Sequence, residues 1–381
     1  MHDMKAFFAV ISVLLILGIL LDAFEVVVLP RRVTRRIRMA RFFYRATWIP
    51  ASALTRRLSS IKRRETYLGF FGPLSLILLL CVWAVGLIVG FGLLHWSLGT
   101  PLSVVDGQRS LRTYLYFSGS TFFTLGYGDM TPRAALGRAL AIGEAGVGFG
   151  FLALIIGYLP VIYQAFSRRE AIISLLDARA GSPPSAGELL RRHAQYIHEL
   201  DALLHDWERW AADLMESHLS YPVLCYYRSQ HNNQSWLMAL TTILDVSALV
   251  MVGIDGASKR QAELTFAMAR HAVVDLAQIF NAAPRPRIDR LPLDRLRELR
   301  LMLAASGLEL TDGEAADGRL SELRRMYEPF VEPLSEFFLL TLPRWAPAGD
   351  AFDNWQTSAW GRISSPIEKP GCSLVQDEEH S

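Results

Sequence analysis

The residues with the clearest chemical potential form one short run, residues 124–129, with the sequence Thr-Leu-Gly-Tyr-Gly-Asp. Consecutive backbone carbonyls and a threonine hydroxyl can replace the water around a dehydrated cation when they all point at one axis. Successive carbonyls point the same way only if alternate residues adopt positive φ, which glycine does without a Cβ clash. Gly126 and Gly128 have this spacing. The run therefore predicts a cation site built from backbone oxygen atoms.

The segments that must position this run are also recognisable. An aromatic, amphipathic stretch precedes it at residues 115–123, and a long apolar segment that begins near Leu136-Gly137-Arg138 follows it. With these flanks, residues 68–166 resemble the pore domain of prokaryotic potassium channels, whose filter signature is Thr-x-Gly-Tyr-Gly-Asp. The resemblance implies an outer helix, a re-entrant pore helix before the run and an inner helix after it.

The same resemblance assigns roles to individual residues. It implies a selectivity filter formed by Thr124, Leu125, Gly126, Tyr127, Gly128 and Asp129. The carbonyls of residues 124–127 and the Thr124 hydroxyl would coordinate K⁺, and Asp129 would lie at the outer mouth. Tyr127 would pack outward against Tyr116 and Phe117, which support the filter. Ser120 stands where some relatives carry an acidic residue, so filter-based inactivation is left open. No cofactor is expected besides permeant K⁺.

Two residues of the inner helix suggest further hypotheses. Gly148 stands where the family's hinge glycine lies, and the two interpretations are a gating hinge and close packing of a neighbouring helix. Glu144, one turn earlier, is an ionisable group inside a predicted membrane span. It would either line the ion cavity and concentrate cations, or make a buried contact with a neighbouring helix.

The sequence contains one filter motif and no internal repeat. Closing a ring with one loop per chain requires a homotetramer with cyclic symmetry. The function predicted is passive, K⁺-selective conduction, gated by the inner helix under the influence of a cytosolic domain, and no enzymatic activity is expected. The alternatives are a potassium transporter subunit, which usually carries several degenerate pore loops, and a non-conducting membrane receptor or scaffold.

Three apolar segments are long enough to cross a membrane, since each exceeds the roughly 20 residues that span the hydrocarbon. They cover residues 6–29, 67–98 and 134–166. The fold class predicted is an all-α membrane protein in which a tetrameric pore is joined to an extra N-terminal transmembrane helix and an all-helical cytosolic C-terminal domain. The expected domains are residues 1–30 (anchor helix), 31–66 (basic segment), 67–166 (pore), 167–342 (cytosolic domain) and 343–381 (disordered tail).

Charge predicts the orientation of these spans. Residues 31–64 contain twelve Lys or Arg and no Asp or Glu, which places this segment in the cytoplasm. The N-terminus then lies outside and the C-terminus inside the plasma (inner) membrane. The arginines follow the first span instead of lying within one, so the segment Arg31–Arg64 indicates an interfacial helix on anionic lipid in preference to a voltage sensor. Asp22 and Glu25 are expected to pair with the arginines just beyond them.

The C-terminal half predicts a helical domain. Apolar periodicity indicates helices over residues 186–217, 233–254, 258–281, 293–305 and 318–341. Residues 236–254 are apolar enough to be a fourth span, but Asp245 near the middle favours a buried core helix. Outside the basic segment the chain is net negative, so no nucleic-acid partner is expected. The ligand or partner of this domain is left open.

Overall fold

The computed structural model describes residues 2–29, 39–104, 110–230, 233–285 and 289–347. Helices dominate these residues, and one short antiparallel pair of strands is the only sheet within them. The chain divides into two compact units. The first comprises Met1–Leu58 and Phe70–Gln164, and the second comprises Ser59–Gly69 and Ala165–Ser381.

The first unit contains the predicted pore. Its helices are α1 (His2–Val27), α2 (Met39–Arg56), α3 (Ile61–Ser97), α4 (Leu111–Phe122) and α5 (Ala135–Ala180). Helix α3 begins in the second unit and α5 ends there. Strands β1 (Leu102–Val104) and β2 (Met130–Pro132) pair antiparallel, with Ser103 opposite Thr131. The three predicted spans correspond to α1, α3 and α5.

Helices α1 and α3 pack closely because two glycines remove side-chain bulk from α3. A Cβ added at Gly86 would lie 2.5 Å from Ile19, and one added at Gly90 would lie 2.7 Å from Ile16. The same core buries Trp83, whose indole N–H donates to Asp22 at 3.0 Å. Asp22 also accepts hydrogen bonds from the first backbone N–H groups of α2, which otherwise have no intrahelical partner.

The predicted basic segment is described from residue 39 onward. Helix α2 begins there, and it buries Phe43 and Trp48 on one side while Phe42 is 73% exposed on another. Trp48 contacts the Phe71 ring at 4.8 Å. Residues 30–38, which include Arg31 and most of the arginines expected to pair with Asp22 and Glu25, lie outside the described part, so that pairing stays a prediction.

The second unit is helical. After α5 it contains α6 (Ala186–Arg192), a 3₁₀ helix (Ala194–Glu199), α7 (Leu200–Ser220), a second 3₁₀ helix (Pro222–Tyr226), α8 (Trp236–Gly253), α9 (Lys259–Ile279), α10 (Leu293–Ala305), α11 (Glu314–Arg325) and α12 (Glu328–Phe338). Residues 348–381, most of the predicted tail, lie outside the description.

Helix α8 forms the centre of this unit. By length and composition it is one of four described helices that could cross a membrane, but 83% of its apolar window is buried by surrounding protein, against 22–50% for α1, α3 and α5. Helices α7, α9, α11 and α12 pack around it. The buried Asp245 is bonded by Arg290 and Tyr327. This surrounding protein supports the core-helix interpretation of residues 236–254.

Two predicted helices are wrong in their continuity. The single helix over 186–217 is broken between α6 and α7, where Tyr196 has the non-helical angles φ −128° and ψ 39°. The helix over 318–341 is divided between α11 and α12 at Tyr327, which has φ −132°. Pro329 follows in the first turn of α12, where a helix accommodates proline because the backbone N–H groups there have no intrahelical partner.

Candidate functional site

The run 124–129 connects the end of α4 to β2, and its backbone alternates as the carbonyl geometry requires. Positive φ occurs at Thr124 (54°), Gly126 (64°) and Gly128 (75°), with the residues between them on the other side of zero. Gly126 and Gly128 are the glycines that the sequence predicts for this purpose. Thr124 adopts the same conformation, although for a β-branched residue positive φ is unfavourable. The strain lies at the residue whose hydroxyl would complete the ion sites.

The start of the run is fixed to the last turn of α4. The backbone N–H of Leu125 donates to the Ser120 carbonyl at 2.9 Å, and that of Thr124 donates to Thr121 at 3.0 Å. The Ser120 hydroxyl donates to the Phe117 carbonyl in the same helix. These bonds satisfy carbonyls that a helix end leaves without partners, and they set the angle at which the chain leaves α4.

The outer end of the run contacts α4 through side chains. Tyr116 interacts with Asp129, and the Asp129 carboxylate also accepts from the Met130 backbone N–H at 3.1 Å. Tyr116 is 45% exposed and Tyr127 is 67% exposed on the single chain. All six residues of the run are exposed in this way. One chain therefore presents its carbonyls along an open surface instead of around a closed ring.

Phe117, unlike Tyr116, does not lie at the surface formed by residues 124–129. It is buried, its ring meets His95 edge-on at 5.2 Å, and it packs with Leu102 and Tyr114. Within the chain Phe117 contacts α3 and β1, away from the surface formed by residues 124–129. The predicted support of Tyr127 by Phe117 is thus not a contact of the single chain.

Glu144 is also placed differently from the cavity-lining prediction. Its side chain is fully buried, and its carboxyl group forms a hydrogen bond with Ser118 of α4. The second carboxyl oxygen lies 3.7 Å from His95 Nε2 of α3. In the single chain Glu144 makes the alternative, a buried contact with neighbouring helices, because α4 and α3 cover this side of α5.

Gly148 is a close-packing position. A Cβ added there would lie 1.9 Å from the carbonyl oxygen of Phe122, the last residue of α4. Helix α5 continues unbroken through this point. Four other glycines of α5, at positions 143, 146, 150 and 157, have no atom within 4 Å of an added Cβ. The packing interpretation thus has direct support, and the hinge stays a prediction.

The end of α5 carries a buried, hydrogen-bonded arginine that the sequence did not predict. Arg169 is buried, and its guanidinium donates to the carbonyls of Leu224 and Tyr227 and to His218 Nε2 at 2.9–3.1 Å. The sequence did not indicate that Arg169 is buried, because arginine side chains are mostly exposed. Arg169 anchors the last turns of α5 to the segment after α7.

His218 is held neutral by this contact. Since a guanidinium can only donate, His218 Nε2 must accept, which places the ring proton on Nδ1. Burial lowers the pKa of His218 well below its ordinary value of 6.5, and the positive charge of Arg169 lowers it further. The folded state therefore binds a second proton on the His218 ring less readily than the unfolded state does.

The sign of the resulting pH dependence is fixed. As the pH falls below 6.5, the unfolded chain gains a proton on His218 more readily than the folded chain does, so we expect the free energy of unfolding to fall, by at most about 1.4 kcal/mol per pH unit. Denaturant unfolding of the second unit from pH 8 to pH 5 measures this loss. His218→Gln should flatten the profile, whereas His205→Gln, at an exposed position of α7, should leave it unchanged. If the free energy of unfolding depended on pH equally in both variants, His218 would be excluded as the source of the pH dependence.

Residues 77–164 match the family described as ion channel. The uncharacterized membrane protein YdjJ of Bacillus subtilis is 25% identical over 193 residues, which are 49% of this chain and 55% of that protein. The human potassium voltage-gated channel subfamily KQT member 4 is 37% identical over 84 residues, 21% of this chain and 12% of that protein. Protein LctB of Bacillus caldotenax is 34% identical over 84 residues, 19% of this chain and 62% of that protein. No solved structure is significantly similar.

These matches and the helical fold agree. The chain is an all-α, multi-pass membrane protein whose residues 77–164 match an ion channel family, which confirms the all-α membrane part of the predicted fold class. The matched range lies inside the predicted pore domain, 67–166, and includes the whole run 124–129. The chain spans about half the length of the Bacillus subtilis relative and less than two thirds of the other two.

Proposed function

We propose that the chain forms a homotetramer that conducts K⁺ passively through residues 124–129, with gating by the inner helix under the influence of the second unit. The observation that carries the proposal is the alternation of positive φ at Thr124, Gly126 and Gly128. It turns successive carbonyls toward one side of the chain, which is the arrangement that replaces a cation's hydration shell. The matching segment of a relative named as a potassium channel supports K⁺ as the ion.

The exposure of the run supports the tetramer. All six residues of the run are exposed on one chain, including Leu125 at 52% and Tyr127 at 67%. Four copies around one axis would cover them and close the ring of oxygen atoms. Asp129 would then lie at the outer mouth. The carbonyls of residues 124–127 and the Thr124 hydroxyl would hold dehydrated K⁺.

Orientation and lipid contacts form part of the same proposal. The charge of residues 31–64 places them in the cytoplasm, next to anionic lipid of the plasma membrane, with the N-terminus outside. The human relative is named as voltage-gated, but the matched 84 residues are 12% of it. The arginines of this chain follow a span instead of lying within one. We therefore expect weak voltage dependence.

The proposal is tested by ion flux through the purified full chain in liposomes. We expect thallium and K⁺ to enter, barium to block entry, and Na⁺ to be excluded. Gly126→Ala should reduce K⁺ entry to the background of empty liposomes, since each of four subunits would bear roughly 1–2 kcal/mol for placing a Cβ at positive φ. Leu125→Val changes a side chain at a position without positive φ and should keep K⁺ selectivity. Trimeric complexes, or equal entry of Na⁺ and K⁺, would contradict the proposal.

A further inference from the structure

Three buried polar side chains from three helices meet on the side of α4 that faces away from the filter surface. His95 comes from α3, Ser118 from α4 and Glu144 from α5, and each is 0% exposed. A carboxylate and an imidazolium are both costly to bury unless they are paired and hydrogen-bonded. The protonation of this cluster therefore follows from counting its hydrogen-bond donors and acceptors.

Ser118 decides the count. Its hydroxyl oxygen lies 2.7 Å from the Ile88 carbonyl oxygen of α3 and also forms a hydrogen bond with Glu144 Oε1. A serine hydroxyl has one proton, and a carbonyl can only accept. If Ser118 donates to Ile88, the hydrogen in the Ser118–Glu144 bond must come from Glu144. A protonated Glu144 thus satisfies both bonds, and an ionised one leaves the Ser118–Ile88 contact without a proton.

The His95 side of the cluster is consistent with a neutral carboxyl group. His95 Nδ1 lies 3.1 Å from Thr100 Oγ1, whose own proton can be donated to the His95 carbonyl at 3.2 Å. In that arrangement Nδ1 carries the ring proton and Nε2 is unprotonated. His95 Nε2 and Glu144 Oε2 are 3.7 Å apart, beyond hydrogen-bond distance, and neither atom has another hydrogen-bond partner among the described residues. An ion pair would be expected to close this gap.

Among the described residues, His95 is the titratable group that interacts with Glu144, and Ser118 is its other side-chain partner. Tyr114 reaches the same region from α4 but donates to the Thr100 carbonyl at 2.8 Å. No Lys or Arg in the described part of the chain is paired with Glu144. The charge state of the cluster thus depends on whether Glu144 or His95 carries one proton.

We propose that Glu144 is a positioning residue that stays protonated and donates its hydrogen bond to Ser118. The hydrogen bond that this proton forms connects the inner helix to the pore helix. The Ser118 hydroxyl donates in turn to the Ile88 carbonyl and so connects the pore helix to the outer helix. Ser118 precedes Ser120 and Thr121, whose carbonyls fix Leu125 and Thr124. The protonation stands on the geometry alone, whereas the effect on ion selection rests on the function proposed above.

The protonation is tested by infrared spectroscopy of the full-length tetramer in lipid at neutral pH. We expect a carboxylic-acid C=O stretching band that shifts when glutamate is labelled with ¹³C and disappears in Glu144→Gln. Glu263→Gln, at a half-exposed position of α9, is the control and should leave the band in place. A spectrum of Glu144→Gln that differs from the parent only in carboxylate bands would overturn the assignment.

The positioning role is tested by replacing the donor in two ways. Glu144→Gln keeps an N–H donor of similar shape and should retain the parent K⁺-over-Na⁺ flux ratio. Glu144→Met keeps the volume without the donor, and we expect the ratio to fall at least about fivefold, the equivalent of one hydrogen bond. Equal ratios in all three proteins would overturn the positioning role. Loss of K⁺ flux in the parent itself would count against the proposed function, while the infrared result would still decide the proton.

Discussion

Replacing Gly148 with alanine will abolish the proposed K⁺-selective flux and reduce the yield of the proposed tetramer. The added Cβ would lie 1.9 Å from the Phe122 carbonyl oxygen and 2.8 Å from its carbonyl carbon, and neither backbone atom can rotate away as a side chain could. Phe122 is buried and ends α4, two residues before Thr124. Relief of the clash must therefore move the pore helix or the inner helix. Overpacking of this kind costs about 1–3 kcal/mol per site, and a tetramer would contain four sites.

The matched controls for this variant lie in the same helix. Gly146→Ala and Gly150→Ala add the same methyl group at positions where the chain has no atom within 4 Å of it, and we expect both to conduct. Flux of K⁺ and Na⁺ and native-gel assembly are measured together. A pure hinge role for Gly148 predicts changed opening with K⁺-over-Na⁺ selectivity intact. A selective, fully assembled Gly148→Ala channel would contradict the packing argument.

The backbone conformation of residues 124–129 could be predicted from sequence because local residue types determine most of it. Gly126 and Gly128 have the spacing that alternate positive φ demands, and the structure has positive φ at both. The same conformation at Thr124 could not be foreseen, because threonine favours negative φ. Its conformation is imposed from outside, by the hydrogen bonds that fix this end of the run to α4.

The surroundings of Glu144 illustrate what sequence reasoning could not reach. Its position on a helix was evident from the sequence. Whether its side chain is covered depends on two other helices, through Ser118 of α4, 26 residues earlier, and His95 of α3. The sequence accordingly left a cavity role and a buried contact as alternatives. Periodicity shows that a helix has an apolar stripe, but it does not show which helix covers a given residue.

The breaks in the C-terminal helices have a similar origin. Tyr327 leaves the helical conformation between α11 and α12 and donates its hydroxyl to Asp245, 82 residues earlier in the chain. A long-range bond of this kind overrides an apolar pattern that would otherwise continue. The sequence identified Asp245 as the residue that argues against a membrane span, but it offered no partner for the carboxylate.

Asp245→Ala will produce the largest loss of stability in the second unit. The carboxylate is completely buried in α8, accepts from both terminal nitrogen atoms of Arg290 at 2.8 and 3.2 Å, and accepts from Tyr327. Burial alone would lower the pKa of Arg290, but the Asp245 carboxylate outweighs it and the pKa lies above its ordinary value. An arginine side chain is not deprotonated in proteins, so Arg290 remains charged in the variant even without this carboxylate. Removing one partner of a buried pair costs about 3–5 kcal/mol. We expect a loss toward the lower end of this range, because the buried Arg290 loses both bonds to Asp245 but keeps Glu328 at 3.3 Å.

Denaturant unfolding of the full chain, followed by fluorescence of the buried Trp236 and Trp345 in this unit, measures the loss. Glu298→Ala is the control, since it removes an ion pair with Arg295 in which both side chains are more than half exposed. Exposed pairs are screened by solvent, and we expect a change within about 0.5 kcal/mol. If α8 crossed a membrane without protein around it, Arg290 would not reach Asp245, and Asp245→Ala would raise stability by removing an isolated charge from lipid. The direction of the change therefore separates a buried core helix from a fourth span.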